Sequence, residues 1–105
     1  MFIDPDELAI TGTITSVKTL PSGSLQSYTV SETGWYRVHA NTGNTAGDLF
    51  AGMYNSSNSP LFIIKSTEGQ WGNTYTAPFF LRKGATIKAQ CSYPTNGGGA
   101  IERLT

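Results

Sequence analysis

The chain has a single histidine, His39, and a single cysteine, Cys91, so a thiol–imidazole dyad could be built in only one way. The alternation around each residue puts Cys91 on an apolar face and His39 on a polar one, which separates them. A Ser-His-Asp set would need a nucleophile elbow, and no Gly-x-Ser-x-Gly occurs. Asp48 and Glu68 could be imagined as a glycosidase pair, but they are two of seven scattered acids. One His and one Cys cannot complete a zinc site within one chain. His39 from three subunits could meet on a threefold axis, where the neighbouring Arg37 would oppose a cation. Asn41, Asn44 and Asp48 bear oxygen but lack the charge that calcium favours. Gly97-Gly98-Gly99 is followed by neither Lys-Ser/Thr nor a helix, so it reads as a flexible turn rather than a phosphate loop. The expectation is no enzyme, no cofactor and no metal.

Side chains suited to binding are better represented. Trp71 stands in a loop between Gln70 and Asn73, with Tyr75 close by. An indole face packs on the C–H surface of a sugar while the Gln70 and Asn73 amides bond its hydroxyls; the competing reading folds Trp71 back as a lid or against a subunit neighbour. Trp35, Arg37 and His39 share one face of a strand and form a second exposed set, which in a trimer would lie at the subunit interface, where Trp and Arg are enriched. Asn55-Ser56-Ser57 matches a glycosylation acceptor but reads as a turn.

Composition narrows the class. Seven Lys plus Arg balance seven Asp plus Glu, so the electrostatic footprint for nucleic acid or an anionic membrane is missing. No segment approaches the ~20 apolar residues of a membrane helix. Met1 is followed by acidic Asp4, Asp6 and Glu7 with no apolar run, so no export signal is expected. Aromatic content of 11% is too high for disorder. A lone cysteine excludes an internal disulfide framework, and Cys91 reads as a small buried hydrophobe.

The elements that must position these residues are strands. The only helical signal is at the start: Asp4 as N-cap, Pro5 at the first helical position, Glu7 completing a capping box, and Ile3 against Leu8 as a staple. Residues 1–12 are therefore read as a short capped segment, either a plug or a docking peg, and residues 13–105 as a β domain. About eight strands follow, over Thr13–Leu20, Leu25–Val30, Trp35–Asn41, Leu49–Tyr54, Leu61–Lys65, Thr74–Leu81, Thr86–Ser92 and Ala100–Leu104. In Trp35–Asn41, Tyr36, Val38 and Ala40 face one way and Trp35, Arg37 and His39 the other. Phe79–Leu81 leads through the basic turn Arg82-Lys83-Gly84, where glycine takes a positive φ without penalty, into Thr86–Ser92 with Ile87, Ala89 and Cys91 inward. The connections are too short for parallel crossovers. The fold expected is an all-β, eight-stranded antiparallel jelly-roll sandwich.

Three phrases carry a family resemblance. Gly34-Trp35-Tyr36-Arg37-Val38-His39-Ala40 resembles the strand that opens the central part of C1q/TNF-like jelly rolls. Leu81-Arg82-Lys83-Gly84-Ala85-Thr86-Ile87-Lys88-Ala89 is similar to their late Gly-turn strand, and Gly98-Gly99-Ala100-Ile101-Glu102-Arg103-Leu104 to their closing strand. The Lys-Gly-x-Thr-Ile variant with Ser/Thr/Asn-rich loops is most like the small trimeric jelly rolls of phage fibre tips, tail-needle knobs and head fibres. Ala85 replaces the Asp frequent in the extracellular family, so a calcium role does not carry over. The resemblance covers roughly residues 24–105. It implies a non-catalytic homotrimer on a virion surface, a fibre knob or capsid decoration protein that mediates attachment or stabilises the shell. Residues 1–12 would dock on the shell or stalk, and the loops around Asn44, Asn58 and Trp71 would meet a host glycan or protein. A stand-alone jelly-roll carbohydrate-binding module is the alternative.

Overall fold

Tyr36, Val38 and Ala40 are buried, while Trp35 stands exposed and Arg37 and His39 half-buried; this alternation makes Gly34–Asn41 the central strand of a two-faced sheet. The computed structural model describes residues 12–105. They form nine strands: β1 (Ile14–Leu20), β2 (Gln26–Thr29), β3 (Gly34–Asn41), β4 (Gly47–Asn55), β5 (Pro60–Glu68), β6 (Asn73–Tyr75), β7 (Phe79–Leu81), β8 (Thr86–Ser92) and β9 (Gly98–Leu104). The capped segment expected around Asp4, Pro5 and Glu7 lies outside the described residues.

Two antiparallel sheets result. Sheet A runs β1-β9-β3-β6, with β7 also on β3, and sheet B runs β2-β8-β4-β5. β6 pairs with His39–Asn41 and β7 with Gly34–Tyr36 along the same edge of β3. The expected single strand over Thr74–Leu81 is thus broken in two: the register slips by one residue, so that Ala77 and Pro78 together oppose Arg37 in a bulge, where a proline is tolerated. Thr76 bridges the break: its Oγ1 accepts the Val38 N–H at 2.9 Å, and its own N–H donates to the Val38 carbonyl at 2.9 Å. The pairings nest, β1 with β9, β2 with β8, β3 with β6 and β7, and β4 with β5.

The core lies between the sheets and includes Leu20, Tyr36, Val38, Leu49, Met53, Ile87, Cys91 and Ile101. Full burial of each Leu, Ile, Val or Met side chain is worth about 1.5–3 kcal/mol. Tyr36 closes one end by donating its hydroxyl to the Glu32 carbonyl. Gly84 has the expected positive φ, +90°. Its turn does not close a hairpin, since β7 belongs to sheet A and β8 to sheet B; instead Gly84 N–H bonds Val30 O, and Val30 N–H bonds Ala85 O, both at 2.8 Å.

One expectation is corrected. Gly98 and Gly99 belong to β9 and are not a flexible turn. Gly99 sits opposite Leu20 on one side and Ala40 on the other, and a Cβ there would meet Cys91 Sγ at 2.7 Å. Close sheet-to-sheet approach, rather than turn flexibility, requires glycine here.

Candidate functional site

Asn73 and Tyr75 of the first set join Arg37 and His39 of the second on one surface, whereas Trp71 and Gln70 do not. Register places Tyr75 opposite His39 and Asn73 opposite Asn41 across β3–β6, on the outer face of sheet A. On the other side of β3, Glu102 stands opposite Arg37 and Ala100 opposite His39. Arg37 Nε donates to Glu102 Oε1 at 2.8 Å, and the guanidinium lies 4.0 Å from the Tyr75 ring centroid. The His39 ring stacks on Tyr75 at 4.6 Å, with Nδ1 3.1 Å from Glu102 Oε2 and Nε2 2.7 Å from Asn73 Oδ1. Asn41 Nδ2 donates to the same Asn73 Oδ1 at 2.7 Å. Arg37 and Glu102 neutralise each other, so covering this face would bury no unpaired charge there.

Beside the network runs an apolar row made by four strands. Ile14 of β1 faces Leu104 of β9, Leu104 faces Trp35 of β3, and Trp35 faces Phe80 of β7. The Trp35 and Phe80 rings meet edge to face at 5.6 Å. Ile14, Trp35 and Phe80 nevertheless remain 56%, 51% and 51% exposed, so among the described residues nothing covers the row, and it is no outlying part of the core. Sequence reading found Trp35 but missed Ile14, Phe80, Leu104 and Glu102. Alternation could place each on an outward face, but only cross-strand register brings them together.

Trp71 lies at one end of the sandwich, where the 42–47, 69–73 and 93–97 loops meet. It is 68% exposed and has φ +59°, a left-handed conformation uncommon outside glycine. Its N–H donates to Gly43 O at 2.6 Å, and Thr42 Oγ1 donates to Gly69 O at 2.7 Å, which pins the loop to its neighbour. The indole is therefore held outward on a fixed backbone rather than folded back as a lid. The amides expected to flank a ligand turn toward the protein: Gln70 Nε2 donates to Asn44 O at 2.9 Å, and Asn73 serves the His39 network. Asn58 is not part of this cluster. It sits in the β4–β5 turn at the opposite end, where its Oδ1 accepts from Lys88 Nζ at 2.7 Å.

Cys91 and the His39 imidazole do not form a dyad. Cys91 is fully buried, and burial pushes its thiol up to about 12; its Sγ faces the His39 backbone carbonyl at 3.3 Å while the imidazole points to the other face. Asp48 accepts from Thr67 Oγ1 at 2.7 Å. No group of three or more His, Cys, Asp or Glu able to hold a metal occurs among the described residues. Comparison with protein-family models, curated proteins and solved structures finds no match to this chain.

Proposed function

We propose that this chain is a jelly-roll domain that assembles as a homotrimer through the outer face of sheet A and serves as a non-catalytic virion surface component. With β6 and β7 counted as one interrupted strand, the sheets read 1-8-3-6 and 2-7-4-5. That order follows when a ribbon of nested antiparallel pairs wraps into two layers, which is how a jelly roll is built. The Ile14–Leu104–Trp35–Phe80 row beside a neutralised Arg37–Glu102 pair is the observation that carries the trimer reading. Aromatic and Arg side chains with few unpaired charges are the composition of an interface centre.

The polarity of the domain fits attachment. Thr13 pairs with Thr105 at the end of the sandwich opposite Trp71, so the chain enters the domain at that end, where in this reading residues 1–12 dock on a shell or stalk. The Trp71 end then points away, toward a host glycan or protein. Trp71 on its fixed, left-handed backbone also supports the second reading, a stand-alone carbohydrate-binding module, since an aromatic ring held outward on a loop can serve as a stacking platform. The genes flanking this one separate the two readings: capsid, tail or fibre genes are expected, and a neighbourhood without any virion gene would overturn the first.

A further inference from the structure

We propose that the outer face of sheet B holds a second binding site, a groove for a single hexose ring of a glycan, formed by Asp48, Phe50, Lys65, Thr67 and Ser92. The groove has a volume of about 490 Å³, within the range of small-ligand sites. Strand alternation turns Leu49 and Ser66 inward, so the β4 and β5 backbones form its floor. Register fixes the walls, with Asp48 opposite Thr67, and Phe50 between Lys65 on β5 and Ser92 on β8.

The side chains match a neutral polyol better than an ion. Asp48 and Lys65 lie diagonally across the β4–β5 pair and form no salt bridge within 4.0 Å. A carboxylate repels an anion and an ammonium repels a cation, whereas a hydroxyl accepts from Lys65 Nζ and donates to the carboxylate at once. Asp48 Oδ1 is oriented by the Thr67 hydroxyl at 2.7 Å, which leaves Oδ2 for a ligand. The Ser92 hydroxyl is exposed on the third strand. Phe50 supplies the apolar wall for the C–H face of the ring, with Lys65 Nζ 5.9 Å from its centroid.

Gly52 keeps the groove open. A Cβ at Gly52 would meet Phe50 Cε1 at 3.2 Å, so the Phe50 ring leans along β4 over the bare backbone of Gly52 and away from Asp48. The groove opens near the end that carries Trp71, on the sheet opposite the apolar row. It stands on its own chemistry and does not depend on the trimer or virion reading.

The whole chain, labelled with nitrogen-15, is titrated with glucose, galactose, mannose and N-acetylglucosamine, each to about 50 mM because one ring held by a few hydrogen bonds binds in the millimolar range. At least one of these sugars is expected to move the Asp48, Phe50, Lys65, Thr67 and Ser92 amides. Asp48→Asn and Phe50→Ala should each weaken that response on the order of tenfold, while Ser27→Ala on β2 leaves it unchanged. Spectra of the variants report whether each is folded, and Asp48→Asn alters only an exposed side chain. The proposal is overturned if no sugar moves these amides, if the shifts centre on the Trp71 loops instead, or if the folded Asp48→Asn variant responds as the wild type does.

Discussion

Gly99 and Cys91 meet where β9 crosses the core, and their contact sets two expectations at the scale of single residues. A Cβ on Gly99 would come within 2.7 Å of Cys91 Sγ, whereas one on Gly98 would meet nothing. Gly99→Ala is therefore expected to cost about 1–3 kcal/mol by overpacking, and Gly98→Ala to stay within about 0.5 kcal/mol of the wild type. Urea denaturation of the pair measures the difference, and equal costs would contradict the packing. The Cys91 thiol is neutral in the fold, its pKa pushed by burial from 9.0 to about 12. In the unfolded chain it ionises first, so its contribution is whole below pH 9 and is lost as pH rises toward 12. Burial also raises the Tyr36 and Tyr54 phenols, which adds to the alkaline loss. Stability measured by denaturant should hold to pH 9 and then fall, with a shallower fall in Cys91→Ala. A native chain whose thiol reacts with a disulfide reagent at neutral pH as fast as the unfolded chain would refute this.

At the scale of elements, the interrupted β6–β7 edge depends on one hydroxyl. Thr76 is buried, and its Oγ1 is the acceptor for Val38 N–H. Thr76→Val keeps the shape and strands that donor, so a loss of about 1–3 kcal/mol is expected; the amide of Val38 should also exchange faster with solvent. An unchanged stability would mean that the break is not held by this bond. The break itself was not legible in the sequence, where Thr74–Leu81 reads as one β run despite Pro78. Alternation did reveal which residues of β3 and β8 face inward, because burial on one side imposes a period of two. Alternation says nothing of partners, and so Tyr75, sought beside Trp71, stacks on His39. The Gln70 and Asn73 amides were legible as types but not as directions. Register and loop hydrogen bonds fix their directions, and both depend on residues distant in the chain.

For the whole molecule, the account rests on the outer face of sheet A. Three chains closing about this face would cover the Ile14–Leu104–Trp35–Phe80 row, leave sheet B outward, and keep the Trp71 loops at one pole and Thr13 at the other. A charge at the centre of that row would be buried without a partner in the assembly, yet would be solvated in a single chain. Trp35→Asp should therefore dissociate the assembly and leave the fold intact, because Trp35 contributes nothing to the buried core. Sedimentation equilibrium at micromolar concentration tests this most directly. The expected result is about three times the 11.3 kDa chain mass for the wild type and a single-chain mass for a folded Trp35→Asp variant. A wild-type chain that sediments at its single-chain mass, or a Trp35→Asp variant that remains trimeric, would contradict the account.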